Sequence, residues 1–329
     1  MAEAEVGDDG LGDDPTVNRF EARAADLLGK DAAMFVPSGT MGNLVSLLSQ
    51  CDRGDEIIVG DESHIFLNEV GGASALGGLS LRQIPTEIDG TLDLGRVTAA
   101  VRTSGLGFPT TRLLCLENTH NRRSGRVLST EYMAEAASVA AEHGFGVHLD
   151  GARIFNAAVS LDMPVRDLVT SVDSLSFCLS KGLSCPVGSV VAGSTDFVQR
   201  ARKMRRMVGG GMRQAGVLAA AGLVALDSMI DRLKEDHDNA RRLAIGLSSF
   251  PGVTLDPESV ETNIVVFQLD GFDVTSVVSR LQSAGVRVSR MGDRILRMVT
   301  HYGIDGPDIA RALDVTESIL SATRTEIGR

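Results

Sequence analysis

One lysine stands alone among small and apolar residues in the run Ser174-Leu-Ser-Phe-Cys-Leu-Ser-Lys-Gly-Leu-Ser-Cys-Pro-Val-Gly-Ser-Val-Val-Ala-Gly193. Two β-prone stretches flank the loop that carries Lys181. An unpaired ammonium is costly to bury, so this lysine is either a solvated loop residue or a chemical group. Desolvation frees an amine to act as a nucleophile, which is what Schiff-base chemistry requires. Four other places in the chain bear on the choice. Pro37-Ser-Gly-Thr-Met-Gly-Asn43 joins a β-prone run to a helical one, so Ser38, Gly39 and Thr40 could cradle a phosphate with hydroxyls and free N–H groups. The plainer reading is an ordinary capped helix start. Asp150 closes the apolar run Gly146-Val-His-Leu-Asp150, where it is either an acid facing a ligand or a cap for the next helix. His64 could stack on a planar ring or simply sit half-buried at a helix start. Arg297, inside Leu296-Arg-Met-Val-Thr-His301, could bind a carboxylate or face an edge.

Pyridoxal phosphate (PLP) needs these five parts together: an amine to hold it, an acid to keep its ring nitrogen protonated, a phosphate cradle, a planar partner, and an arginine for a substrate carboxylate. Lys181, Asp150, Ser38-Gly39-Thr40, His64 and Arg297 supply one candidate each.

The elements that must position them alternate. Helices are expected at 18–28, from the cradle to about 50, near 92–101 and at 130–143, with a short one from His64 to Gly71-Gly72. Strands are expected at 32–36, 56–59, 79–84, 112–116, 146–150, 173–179 and 189–192. This rhythm implies an α/β protein with a mainly parallel sheet and helices on both faces. Ligands of such sheets sit beyond the carboxyl ends of the strands. Ser38, Asn118, Asp150 and Ser180 all fall at or just after strand ends, so they could converge on one site. Two long helical runs follow, at 195–207 and 212–233, around Gly209-Gly-Gly211. From Asp236 the order becomes helix, strand, helix, strand, strand, helix, a smaller α+β domain. The expected division is a large domain at 1–235, with an extended acidic arm at about 1–15, and a small domain at 236–329.

Composition excludes several functions. The chain has 329 residues and a net charge of −11 without a dense basic cluster, which argues against nucleic acid and anionic membrane surfaces. The longest apolar run, 216–226, is too short to span a bilayer. The first residues have neither a basic start nor an apolar signal core. Cys51, Cys115, Cys178 and Cys185 lack metal or disulfide spacing and read as reduced core thiols of a cytoplasmic protein. No dedicated metal-ligand cluster stands out.

The segments Ser38-Gly-Thr-Met-Gly-Asn43, Ser63-His-Ile65, Glu117-Asn-Thr-His-Asn121, His148-Leu-Asp-Gly-Ala-Arg153, Leu179-Ser-Lys-Gly-Leu183, Gly209-Gly-Gly-Met-Arg-Gln214 and Arg297-Met-Val-Thr-His301 resemble those of the low-specificity L-threonine aldolases. The match runs over nearly the whole chain in unbroken order. It implies PLP fold type I, the aspartate-aminotransferase fold, with a mostly parallel seven-stranded sheet in the large domain. It implies a covalent link from PLP to Lys181, assisted by Ser180, and a salt bridge from the ring nitrogen to Asp150. His64 would stack on the ring. Arg153 would lie near the ring hydroxyl or the substrate, and Arg297 would hold the substrate carboxylate, with Asn118 as a further contact. Arg206 and Arg213 match basic positions that reach a neighbouring subunit's phosphate; otherwise they read as a solvated helix face. The family forms homotetramers, dimers of dimers with sites at the dimer interface.

The implied reaction cleaves an L-β-hydroxy-α-amino acid such as threonine to glycine and an aldehyde, with His64 or a nearby water as base. A β-eliminating lyase or dehydratase on the same fold would break a different bond and release ammonia and a keto acid. A third reading is a PLP-binding protein without activity. The resemblance also predicts differences. The family's leading Ser-Asp-Thr segment has no counterpart before Met-Ala-Glu-Ala-Glu, so either the chain is trimmed or mis-started, or the pocket is incomplete. A pocket histidine is replaced at about Gly107, and an arm tyrosine by Leu11. A less polar pocket would favour an apolar β-substituent, as in phenylserine.

Overall fold

Short apolar runs rich in Val, Ile and Leu build the central sheet of the computed structural model, which describes residues 1–102 and 105–327. Its strands are β1 (Ala32–Val36), β2 (Glu56–Gly60), β3 (Ser80–Ile84), β4 (Thr111–Glu117), β5 (Gly146–Asp150), β6 (Ser174–Cys178) and β7 (Ser189–Gly193). They lie in the order β1-β7-β6-β5-β4-β2-β3. Strands β3, β2, β4, β5 and β6 pair in parallel, and only β7 runs against its neighbours β6 and β1. The mostly parallel seven-stranded sheet is thus as expected. Strands β2, β6 and β7 are buried along their whole length; β2 and β7 carry the unbroken apolar runs Ile57-Ile-Val59 and Val190-Val-Ala192, while β6 alternates serine with apolar residues and buries both faces.

The helices of this unit are α1 (Pro15–Leu28), α2 (Gly39–Gln50), α3 (His64–Leu67), α4 (Gly72–Ala75), α5 (Leu94–Ala100), α6 (Thr130–His143), α7 (Ile154–Ser160), α8 (Val165–Leu168), α9 (Thr195–Met207) and α10 (Gly216–Ser228). Helix α1 begins three residues before the expected start. The Asp14 carboxylate accepts from the N–H groups of Thr16 and Val17, and Pro15 fits the first turn, where its missing N–H costs nothing. The short helix expected from His64 to Gly71-Gly72 ends early, at Leu67, and α4 begins only at Gly72, after Val70 and Gly71 take φ of 53° and 68°. The expected helix over 212–233 also breaks: α10 stops at Ser228 and the next helix starts at Leu233. Helix α7 is the helix that Asp150 could have capped, but its N-cap is Arg153, without a side-chain cap bond; α8 had no counterpart among the sequence expectations.

The chain divides between Asp231 and Arg232, and residues 123–126 belong with the second unit. That unit contains α11 (Leu233–Ser248), β8 (Val253–Thr254), β9 (Ile264–Leu269), α12 (Val274–Ser283), β10 (Ser289–Arg290), β11 (Ile295–Val299) and α13 (Gly306–Ile327). Its four strands form an antiparallel sheet in the order β10-β11-β9-β8. Leu296 and Met298 of β11 are buried in a core with Leu243, Leu247 and Phe267, so Arg297 between them points to the other face. At the start of α11, Arg232 pairs with Asp236 at 2.6 Å. Among the described residues, no helix is long and apolar enough to cross a membrane.

Candidate active site

Parallel pairing brings the carboxyl ends of β4, β5 and β6 level: Glu117 lies opposite Asp150, and Asp150 opposite Ser176. Asp150 is buried, and both of its oxygens accept hydrogen bonds. Oδ1 takes the Ala152 N–H at 3.1 Å and Oδ2 takes the Asn43 side-chain amide at 2.8 Å. Two residues earlier on β5, the His148 ring lies with Nδ1 2.9 Å from Ser174 Oγ and Nε2 3.3 Å from Asn43 Oδ1. Burial pushes the His148 pKa down to about 4, so the ring is neutral at pH 7.

His64 is held twice. Its backbone N–H donates to Glu117 Oε2 at 2.7 Å, and its Nδ1 lies 2.9 Å from Glu69 Oε1. Glu117 also accepts the Asn121 N–H at 2.8 Å. Burial, followed by the neighbouring Asp150 charge, raises the Glu117 pKa to about 7. Burial raises Glu69 as well, opposed by its hydrogen bond to His64. The His64 pKa is raised chiefly by the Glu69 hydrogen bond, while burial and the Lys181 ammonium oppose the shift. One ligand atom each from His64, Glu69 and Asp150 falls within 4.8 Å of the other two. That donor set could suit a cation, but the Asn43 amide hydrogens already point at the two carboxylates.

Lys181 is half-buried in the loop after β6, and Ser180 beside it is exposed. The loop is closed by backbone bonds from Leu179 to Gly188 (3.0 Å), Cys185 to Leu179 (3.0 Å) and Ser184 to Lys181 (2.9 Å). At the start of α2, Ser38 is the N-cap, and its Oγ accepts the Met41 N–H at 3.2 Å. The N–H groups of Gly39 and Thr40 lie in the first turn, where a helix offers no internal acceptor. A Cβ on Gly39 would sit 2.8 Å from Cys178 Sγ, so the cradle tolerates only a bare backbone there. Ser63 Oγ and Ser189 Oγ are buried without a hydrogen-bond partner.

Other expected residues are placed differently. Asn118 is fully buried, and its amide is engaged on both sides by Leu128, donating to the carbonyl at 3.0 Å and accepting from the N–H at 3.2 Å. It fastens a loop and does not present a free amide. Arg153 is half-buried with its guanidinium 3.4 Å from Asn121 Oδ1. Arg206 is exposed and, with Asp9, Leu11 and Arg205, lines a cavity of about 510 Å³. Arg213 pairs with Asp8 of the same chain at 2.8 Å. Gly107 lies in an exposed loop. Arg297 belongs to the second unit, opposite Val266 on β9. Asn43, Glu69, Glu117 and His148 were not singled out from sequence. The available signal was a polar or charged residue inside an otherwise apolar run.

The donor set suits PLP. A buried carboxylate held only by neutral donors would suit a basic ring nitrogen, a bare-backbone helix start suits a phosphate, and a half-buried lysine lies one strand away.

The family described as "Beta-eliminating lyase" matches residues 1–270. The chain is 47% identical over 325 residues to "Probable low-specificity L-threonine aldolase 2" of Arabidopsis thaliana, covering 97% of this chain and 92% of that one. It is 43% identical over 310 residues to "Low specificity L-threonine aldolase" of Escherichia coli K12, covering 94% and 91%. Among solved structures, a threonine aldolase of Leishmania major superposes with a TM-score of 0.81 at 18% identity, over 97% of this chain and 92% of that one. A structure described as SPT with PLP superposes with a TM-score of 0.75 at 20% identity, over 97% and 80%. At those identities the superpositions show a shared fold.

Proposed function

The chain belongs to the beta-eliminating lyase family and, within it, to the low-specificity L-threonine aldolases, and from that premise we propose that it cleaves L-threonine, L-allo-threonine and related L-β-hydroxy-α-amino acids, with PLP, to glycine and an aldehyde. The observation that carries this reading is Asp150. It is buried at the end of β5, held by donors that bear no charge, one strand from the loop of Lys181.

When bound, PLP supplies an electron sink for the pair released from the Cα–Cβ bond. Lys181 provides the amine that holds it, with Ser180 alongside. Ser38, Gly39 and Thr40 bind its phosphate through hydroxyls and first-turn N–H groups. Asp150 faces the ring nitrogen, and the groups that hold its two oxygens, the Asn43 amide and the Ala152 N–H, are neutral donors. His64 covers the ring, and with a proton kept on Nδ1 by Glu69 it has Nε2 free to take the β-hydroxyl proton directly or through a water. Arg153 and Arg297 take the substrate carboxylate, which selects the bond to be broken by fixing its orientation. Asn118 contributes by holding the loop that carries Asn121, the partner of Arg153. Arg206 and Arg213 serve the phosphate of a neighbouring subunit in a cytoplasmic homotetramer built of dimers. The exposed Val217 and Val224 on α10 support assembly. The absence of a polar side chain at Gly107 and the apolar Leu11 favour phenylserine over threonine.

The test is product analysis. PLP-loaded protein is incubated separately with L-threonine, L-allo-threonine and L-phenylserine, and glycine, aldehyde, ammonia and keto acid are quantified. Glycine matched by aldehyde is expected, with phenylserine turned over most efficiently. Ammonia with keto acid would instead assign a β-elimination.

A further inference from the structure

The side chain of Asn43 is buried on α2, four residues after Gly39. Residues four apart share a helix face, so the helix that opens the phosphate cradle carries Asn43 one turn further in. Its Nδ2 donates to Glu69 Oε1 at 2.7 Å and to Asp150 Oδ2 at 2.8 Å. Its Oδ1 accepts from Ser176 Oγ at 2.8 Å and faces His148 Nε2 at 3.3 Å. The two carboxylates fix which way the amide points, because a flipped amide would set its oxygen against two carboxylate oxygens, whereas the Ser176 hydroxyl can turn to donate to the carbonyl. His148 is itself held through Ser174, which also bonds Gln50. The amide is therefore clamped from behind, and all of its donating capacity is directed at the two acids.

We propose that Asn43 is a positioning residue of this site: its one amide group bridges Asp150 and Glu69, so that the acid facing the cofactor's ring nitrogen and the acid orienting His64 are held as a single unit. The inference rests on the PLP aldolase reading and adds to it the device that keeps two carboxylates side by side. Both belong to the group whose ligand atoms fall within 4.8 Å of one another, and like charges that close, out of water, drive one of them to protonate unless donors intervene. A lysine or arginine at position 43 would also donate, but its charge would neutralise part of what Asp150 presents to the ring. A neutral amide with two N–H bonds donates to both acids without adding a charge between them. Asn43 touches neither the substrate nor the reacting atoms, so its effect passes through Asp150 and through Glu69 to His64.

The experiment compares wild type with Asn43→Ala, Asn43→Asp and Ser176→Ala, all purified with PLP. Four properties are measured: the pH titration of the bound cofactor's visible absorbance, cofactor affinity, kcat and KM over pH, and apoprotein melting. For Asn43→Ala the absorbance midpoint is expected to move by at least about half a pH unit. Its kcat should fall about 10- to 100-fold with KM changed less, as for the outer partners of other site ligands. Asn43→Asp, which replaces a donor by a third acid, should shift the midpoint further. Ser176→Ala loosens the amide without touching either acid and should move the same quantities in the same direction by less. Asn43→Ala with lowered melting but a wild-type titration and kcat would overturn the proposal. If that variant does not fold, a wild-type titration in Ser176→Ala would overturn it. The absorbance arm needs no turnover, so wild type that releases no glycine and aldehyde would reject the aldolase reading and leave the Asn43 result to stand separately.

Discussion

His64 and His148 show how neighbours shift the same side chain in opposite directions. His148 is enclosed on β5 and held neutral, while the Glu69 hydrogen bond raises the His64 pKa. If neutral His64 takes the β-hydroxyl proton, activity rises with pH through its pKa. Glu69→Gln keeps the shape but removes the charge, lowers the His64 pKa, and should move that rise to lower pH. A kcat profile superimposable on wild type would exclude Glu69 from this role. His148 makes a prediction about stability. Its folded pKa of about 4 lies below the ordinary 6.5, so the unfolded chain takes up the proton first as pH falls. The contribution is intact above about pH 6.5 and lost towards pH 4. Glu117, raised to about 7, works the other way: its contribution is present below about 4.5 and lost as pH rises. Replacing His148 by Gln should therefore make the protein, relative to wild type, roughly 2 kcal/mol more stable at pH 5 than the same comparison gives at pH 7. Denaturation midpoints at the two pH values decide it, and an equal difference at both would reject a neutral buried His148.

At the scale of elements, α2 joins the cradle to the centre of the site. Its N-cap Ser38, bare Gly39 and buried Asn43 lie within its first turns, and its inner face packs on β6 and β7 through Gly42 against Ser176 and Val191. Gly39→Ala would drive a methyl group to 2.8 Å from Cys178 Sγ. Overpacking of that kind costs about 1–3 kcal/mol, which at this cradle should appear as cofactor binding weakened roughly tenfold or more. Gly39→Ala combined with Cys178→Ala should recover most of the affinity. If the pair binds no better than Gly39→Ala alone, the thiol contact is not the cause. The breaks after α3 and after α10 matter for the same reason. The first places Glu69 where it reaches back to His64, and the second ends one unit where Arg232 and Asp236 begin the other.

For the whole molecule, assembly is the question the exposed apolar side chains raise. Helix α10 is apolar on all sides, yet only one side packs on its own unit, through Gly216, Ala219, Gly222, Ala225 and Leu226. On the other side Val224 is 62% exposed and Val217, two turns earlier on the same face, 37%. Val224→Glu should lower the mass measured by light scattering below that of wild type if the proposed assembly uses this face, with activity falling in parallel if neighbouring subunits complete each phosphate site. A wild-type mass would remove α10 from the interface.

The sequence by itself determined the layers and the chemical parts. Strands 32–36 and 146–150 and helices 130–143 and 195–207 have the limits that residue pattern and caps predicted, because side-chain period, N-caps and terminal glycines act within a few positions. Lys181 and Asp150 were legible because each interrupts an apolar run. The tertiary structure alone decided which polar groups meet. Asn43 finds Glu69, Asp150 and Ser176 at separations of 26, 107 and 133 residues, and nothing local to Asn43 distinguishes those partners from any others. The same holds for Asn118, whose place in a motif suggested a ligand contact and whose amide is taken up by the backbone of Leu128. Hydrogen-bond partners are chosen by where strands end in space, and parallel crossovers bring those ends together only once the sheet is formed.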